Sequence, residues 1–411
     1  MKILHLISQT PDFTGSGKFI QQIISHARRK GHTNYLVAGA QSDFILPEDL
    51  GRPDRAILVR FDGKDLPFPV AGMSDVMPYE STVFSSMSDG EVDTYIQTFR
   101  AAIARAIRQF KPDLIHAHHL WIVSAIAREL ASDLPMVVTC HGTCLRQHRF
   151  CPRISERITP VLKGIDRVMA LNFSQQEEIV ARFSFDSSRV PVMAGGFDDT
   201  LFTPGTKPEG NLVEICYAGK LSRAKGVPWL LKSLDKIRDL PFRLHLAGGG
   251  SGTEKDKCLA MAADLGEKAV YHGTLSHQEL ADLMGRSHLF VLPSFFEGVP
   301  LVLMEALACG CRILATDLPG TKEILSPPDN DLVTFLDLPA LETIDAPFQR
   351  DEPMLEHRLA QALVTLVPHI MERPVPELSK VVQRTRPHTW TKVFERIERV
   401  YDDAADSRKK S

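Results

Sequence analysis

Short apolar runs alternate along this chain with longer segments whose apolar residues recur at helical spacing. That alternation is the pattern of βαβ units and parallel sheets. In the first half the runs at residues 3–7, 35–38, 114–116, 136–139, 168–171 and 190–193 predict strands, and the patterns at 17–30, 92–110 and 174–182 predict helices. Residues 41–91 break the rhythm; rich in Pro, Gly, Asp and Ser, they predict loops with a short strand around 57–60. The pattern then restarts, with strands predicted at 214–217, 243–246, 269–271, 289–292 and 313–315 and helices at 228–238, 253–264, 277–285 and 300–308. A last amphipathic helix is expected over 391–401, and the polar tail after Asp402 is expected to fray.

The turn-rich segment 203–210 reads as an interdomain linker. The expected fold class is therefore α/β, with two Rossmann-like doubly wound domains over 1–202 and 203–385 and a closing helix and tail over 386–411. At 411 residues the chain exceeds what one core usually supports, which agrees with two domains. In doubly wound sheets ligands bind at the carboxyl ends of the strands, so the residues there are read first.

Composition changes this picture little: 44% hydrophobic and 24% charged residues are ordinary for a soluble protein. A formal net charge of −3 argues against nucleic acid as a partner. Seven scattered cysteines read as reduced thiols of a cytoplasmic protein rather than a disulfide framework. The apolar run at the amino terminus is too short for a signal peptide, and no stretch reaches the roughly 18 apolar residues of a membrane span.

The richest stretch is 293–320, where an apolar run ends at Pro293, an acidic turn carries Glu297, and a helix is expected to open at Pro300 and to contain Glu305. Proline suits a first helical position, and the free N–H groups there can receive an anion. Ionised carboxylates accept hydrogen bonds from hydroxyls. An anion site with hydroxyl clamps suits a nucleotide sugar. After another predicted strand, Gly219, Lys220 and Lys225 offer backbone approach and two ammonium groups to a diphosphate. Gly15, Ser16 and Gly17 form a glycine-rich turn that completes neither a P-loop nor a dinucleotide fingerprint.

His118 and His141 follow neighbouring strands, where imidazoles could bind sugar hydroxyls or move a proton. Cys140, His141, Cys144, His148 and Cys151 match no familiar zinc spacing, so no metal is assigned. Arg146, Arg149, Arg153, Arg157, Lys163 and Arg167 face only Glu156 and Asp166 in local sequence. They read as a solvated helix face or as a patch for an anionic acceptor or membrane surface.

Glu297 to Glu305, with Gly-Val-Pro between them and Cys-Gly-Cys-Arg-Ile-Leu-Ala-Thr behind, resembles the E-x7-E signature of retaining glycosyltransferases of family 4. Residues 218–226 are similar to that family's G-R-L-x-x-x-K-G, 247–250 to its glycine turn, 195–204 to its entry to the linker and 390–401 to its closing Trp-to-Tyr helix. The resemblance implies a GT-B fold, its two domains facing each other across a cleft and the last helix packing back on the first. It places Glu305 on the donor ribose, Glu297 beside the donor sugar, and the N–H groups of Gly298 and Val299 on the donor. Lys220 and Lys225 would lie on the leaving diphosphate, His118 near the reacting sugar, and Gly15–Gly17 near the diphosphate or the acceptor. His141, Arg146 and Arg149 fall on the acceptor side.

The implied reaction is metal-independent transfer with retention from a UDP-, GDP- or ADP-sugar to a hydroxyl acceptor. The nucleotide sugar is a co-substrate and no further cofactor is expected. Cell-envelope polysaccharide, lipopolysaccharide or glycolipid is the expected acceptor class, with a small molecule as the alternative and peripheral contact with an anionic membrane allowed. Lys220 departs from the family's arginine, Ser16 separates glycines that are usually adjacent, and Gly195 replaces an asparagine. Two competing readings are a sugar-nucleotide epimerase of the same fold and a non-catalytic nucleotide-sugar-binding subunit.

Overall fold

Strands that all run the same way cannot be joined by tight turns, so each connection must cross a face of the sheet, usually as a helix. The computed structural model, which describes residues 1–48, 50, 53–74, 77–208, 210–325, 327, 329 and 331–409, has this construction twice. The chain divides into one unit of Met1–Gly195 with Trp390–Ser411 and a second of Gly196–Thr389.

In the first unit the elements are β1 (Lys2–Ile7), α1 (Gly15–Arg29), β2 (Thr33–Ala40), β3 (Ala56–Arg60), α2 (Asp89–Phe110), β4 (Leu114–His118), α3 (Ile122–Leu130), β5 (Met136–Thr139), α4 (Thr143–Phe150), α5 (Pro152–Leu162), β6 (Arg167–Met169) and α6 (Phe173–Phe183). The six strands are parallel in the order β3-β2-β1-β4-β5-β6. Alternate residues of β1 serve opposite faces. Leu4 and Leu6 join the cluster containing Phe99, Ile103 and Ile126, whereas Ile3 joins Phe19 and Ile23 of α1.

The second unit holds β7 (Val213–Ala218), α7 (Val227–Asp235), β8 (Phe242–Ala247), α8 (Gly252–Asp264), β9 (Ala269–Gly273), α9 (His277–Arg286), β10 (Leu289–Leu292), α10 (Val302–Ala308), β11 (Arg312–Thr316), α11 (Pro319–Leu325), β12 (Val333–Leu336), α12 (Glu352–Glu372) and α13 (Leu378–Thr385). Its sheet order, β9-β8-β7-β10-β11-β12, repeats that of the first unit. β10 is Leu-Phe-Val-Leu and buried throughout, as a central parallel strand covered on both faces must be.

The closing helix α14 (Trp390–Lys409) belongs to the first unit, where Trp390, Phe394, Ile397 and Tyr401 share a cluster with Ile3, Phe19 and Leu114. Its polar end does not fray after Asp402: Ala404 is buried, and Arg408 Nε lies 2.7 Å from Asp166 Oδ1. Residues 410–411 of that tail lie outside the described residues. The division of the chain also falls before the predicted linker. Lys207 is buried in the second unit and donates Nζ to the carbonyls of Met284, Ser287 and Cys309, so its segment is part of that core. Residue 209 of the segment lies outside the described residues.

The run at 190–193 forms no strand; Val192 makes a single parallel bridge to Ala170, because Pro191 has no N–H to continue a ladder. Helix α3 escapes the periodicity reading because it is buried nearly all round and shows no polar stripe.

Asp166 ties several elements together. Its Oδ2 accepts from Met136 N at 2.9 Å and from Arg128 Nη1 at 3.1 Å, while Arg408 approaches Oδ1. Arg128 is only 5% exposed, so removing its partner leaves a buried uncompensated charge. Asp166→Ala is expected to lower unfolding free energy by about 3–5 kcal/mol. Urea denaturation should show this as a lower midpoint with an unchanged slope.

Candidate functional site

In each sheet the strand order reverses beside the first strand, and loops leaving on either side of such a point open a crevice. In the second unit the two loops are those after β7 and after β10, and they carry the residues singled out in the sequence. The first runs through Gly219 and Lys220 to Lys225, the second through Glu297, Gly298 and Val299. They are joined directly, since Phe295 N donates to Ala224 O at 3.0 Å. Gly226 seals the join. Its φ is +67°, and a Cβ there would lie 2.0 Å from Pro293 O, so no other residue lets the loops meet.

Across this join Lys225 Nζ lies 2.8 Å from Glu297 Oε1, which also accepts from Ser294 Oγ at 2.6 Å. Ser294 was not visible as a site residue, because a serine at a strand end carries no signal of its own. Its carbonyl accepts from Thr316 Oγ1 at 2.6 Å, which holds the loop to β11. Lysine has three donors, so the Lys225 ammonium keeps two for another acceptor. Lys220 is exposed, and its carbonyl is held by Tyr217 Oη at 2.8 Å. Gly298 is exposed and Val299 half-buried on the same loop.

The helix bearing Glu305 opens at Val302, not at Pro300. Pro300 O accepts from Leu303 N and Leu301 O from Met304 N, so a tighter turn precedes the seven-residue helix and proline is not its first member. Glu305 is the unusual group here. Among the described residues no hydrogen-bond or ion partner meets its carboxyl, and burial pushes it up from 4.5 to about 7.

In the first unit, β1 is followed by a turn in which Thr14 caps α1 by accepting from Gly17 N at 3.0 Å. Gln9 Nε2 donates to Thr14 Oγ1 and Ser16 Oγ, both at 3.1 Å, and Gln9 Oε1 accepts from Met73 N at 3.2 Å. Gly15 is exposed at the helix start. Gly17 is required by packing, because a Cβ there would lie 2.6 Å from Asp12 N.

The histidines are placed otherwise than expected. His118 ends β4 with its ring fully buried, Nδ1 3.1 Å from His141 Nε2 and the two rings stacked at 5.4 Å. Phe19 meets His141 edge-on at 5.1 Å. Burial pushes His141 down to about 3 and His118 well below the ordinary imidazole value, so both rings favour the neutral form.

The basic run is also largely neutralised by acids distant in sequence. Arg149 pairs with Glu178 at 2.8 Å, Arg153 with Asp89 at 2.9 Å and Arg157 with Asp93 at 2.7 Å. Arg146 stacks over Phe150, 5.1 Å from its centroid. Cys140 and Cys144 place their sulfurs 3.2 Å apart, but His148 spends both ring nitrogens on Ser155 Oγ and Leu120 O. The five candidate zinc ligands are therefore not gathered. Among the described residues no helix is long and apolar enough to cross a membrane.

Comparison with known proteins places this geometry. The Glycosyltransferase Family 4 model matches residues 13–201 and the Glycosyl transferases group 1 model residues 201–334. The chain belongs to the group 1 glycosyltransferase family and has the α/β GT-B fold. It is 28% identical over 260 residues to D-inositol 3-phosphate glycosyltransferase of Arthrobacter sp., covering 56% of this chain and 61% of that protein. It is 29% identical over 227 residues to glycogen synthase of Mycobacterium tuberculosis, covering 53% of this chain and 55% of that one. The matched region thus spans little more than half the length of these relatives. Anabaena HepE, solved in complex with UDP and glucose, superposes with a TM-score of 0.66 at 17% identity, covering 98% of this chain and 99% of HepE.

The sign of the Glu305 effect on stability follows from its raised value. The folded state holds a proton that the unfolded state has lost between the ordinary value of 4.5 and about 7, so stability falls as pH rises through that window and levels above it. Glu305→Gln is expected to flatten this fall, measured as the melting temperature from about pH 4 to pH 8. A wild-type profile without the fall would place the carboxyl in a solvated setting.

Proposed function

We propose that this protein transfers a sugar, with retention, from a nucleoside-diphosphate donor to a hydroxyl acceptor. The observation that carries the reading is the joined pair of loops at the switch point of the second sheet. There the Lys225–Glu297 pair lies on the loops that also carry Lys220, and Glu305 follows on α10 as a half-buried residue whose carboxyl has no partner among the described residues. Membership of the glycosyltransferase family and the HepE complex with UDP and glucose support a nucleotide sugar as the ligand for such a place. The inositol-phosphate and glycogen relatives support a hydroxyl as acceptor.

In this reading the donor diphosphate lies between Lys220 and Lys225, whose charges oppose the negative charge that grows on the leaving phosphate. Glu305 accepts hydrogen bonds from the ribose hydroxyls, and Glu297, held by Lys225 and Ser294, faces the donor sugar. The N–H groups of Gly298 and Val299 hold the donor further. The bond between the anomeric carbon and the phosphate oxygen breaks as that carbon bonds to the acceptor oxygen on the same face. The acceptor's proton passes to a phosphate oxygen of the leaving nucleoside diphosphate. No protein base is needed. The end of β4 at His118, the turn at Gly15–Gly17, His141 and the α4 residues Arg146 and Arg149 then serve the acceptor side through main chain and shape. UDP-sugar is the first donor to try, and a metal-independent reaction in envelope glycan or glycolipid synthesis is the setting we favour.

The test is a panel of UDP-, GDP- and ADP-sugars with hydroxyl acceptors, following diphosphate release and the anomeric configuration of the product by NMR. One donor is expected to raise the melting temperature and to turn over. Lys225→Ala and Glu305→Ala should each lower kcat/KM by about 10²-fold or more. Nucleotide affinity should strengthen as pH rises through about 7, where Glu305 ionises and becomes a better acceptor, and Glu305→Gln should remove that dependence. Turnover unchanged in both variants would overturn the site. Conversion of the donor to its epimer without an acceptor would identify an isomerase instead.

A further inference from the structure

The mechanism above uses no imidazole ring, yet the core of the first unit holds a cluster of them. His5 on β1 and His116 on β4 are register partners in neighbouring parallel strands. His118, two residues beyond His116, projects from the same face of the sheet. All three are fully buried, and one ring nitrogen from each lies within 4.8 Å of the others. Burial on this scale normally requires every polar atom to have a partner. Here His5 Nδ1 and His118 Nε2 have none.

The opposite nitrogens of the same two rings are held. His5 Nε2 lies 2.9 Å from Asn34 Oδ1, which can only accept, so the proton is on Nε2 and Nδ1 presents a bare lone pair. His118 Nδ1 lies 3.1 Å from His141 Nε2, and when it donates there its Nε2 is bare as well. A partner that fixes the remote nitrogen and aims the near one is how metal-binding histidines are oriented. A His-x-His pair on one strand with a third histidine across the ladder brings three neutral nitrogen donors within reach of one ion.

We propose that His5, His116 and His118 form a buried site for a divalent transition cation, with Zn²⁺ as the ion of best fit. Three imidazoles and an open position are a familiar zinc environment. Nitrogens on a tetrahedral zinc at about 2.1 Å stand roughly 3.4 Å apart, so the rings close in from their present 4.8 Å limit, and His116 and His118, now stacked at 4.5 Å, turn toward the ion as they do. His116 bonds Tyr401 Oη through Nδ1 and Thr139 Oγ1 through Nε2, both at 2.8 Å, and the cation replaces one of these hydroxyls. Since the histidines lie on β1 and β4, the ion would clamp two neighbouring strands of the first sheet to each other. None of the three histidines belongs to the loops assigned to the donor, so nucleotide binding serves as the control for occupancy of the site.

The experiment uses the full chain, stripped with a chelator and then given Zn²⁺ or Co²⁺. About one equivalent of Zn²⁺ per chain is expected to remain after gel filtration, with a higher melting temperature. Co²⁺ should give the visible bands of a tetrahedral, nitrogen-rich site. His5→Gln should weaken binding by about 10-fold or more while leaving nucleotide binding unchanged. Less than about a tenth of an equivalent retained, or retention indifferent to His5→Gln, would overturn the site and leave a water molecule as the occupant. Should that variant fail to fold, X-ray absorption on the zinc-loaded wild type decides: a shell with three imidazoles supports the site, and one without them overturns it.

Discussion

Everything functional in this chain descends from the parallel pairing of its strands. An open parallel sheet covered on both faces winds outward in both directions from an inner strand, because right-handed crossovers made in one direction all fall on one face. Where the winding changes direction, adjacent loops leave toward opposite faces and no helix fills the gap between them. Both sheets here reverse beside their first strand, at β1/β4 and at β7/β10. The second reversal places a glycine-bearing turn against another loop, and Gly226 against Pro293 shows how close that approach is. The reactive groups therefore need not be close in sequence. Lys225 and Glu297 meet because two strand ends are neighbours.

Burial then sorts side chains that look alike in the sequence. Three lysines of the second unit have three fates. Lys207 is sunk among carbonyls, Lys225 is half-exposed against a carboxylate, and Lys220 faces solvent. The two glutamates of the nine-residue motif divide the same way. Glu297 is anchored by an ammonium and a hydroxyl, while Glu305 is enclosed without either. An anchored acceptor keeps its orientation, whereas an enclosed one remains responsive to whatever donor arrives. Histidines at strand ends differ from both, since burial favours their neutral form.

Period and turn chemistry made most of the fold legible. The strands at 136–139 and 289–292 are read to the residue, and α1, α2, α8 and α9 to within a few. Elements without contrast were not legible: α3 is apolar on nearly every side, and α4 and α5 are separated only by the Cys151–Pro152 break. Site residues were legible where a motif supplied spacing, as with Glu297 and Glu305. Pairings set by the fold were not. The acids that neutralise Arg153 and Arg157 lie on α2, more than sixty positions away, and Ser294 gains its meaning only from Glu297. Local charge counts cannot see such partners, and a helix start inferred from a proline cannot see the tighter turn that precedes it.

The last helix has a consequence for the order of events at the ribosome. Its buried face supplies Trp390, Phe394 and Tyr401 to a core otherwise made from residues synthesised before position 196. The first sheet therefore emerges with one flank uncovered and stays so while the whole second unit is made. Long-range contacts of this kind slow assembly. Biogenesis of the first unit finishes late, so translation through the second must be complete before the earlier-born half acquires its full interior.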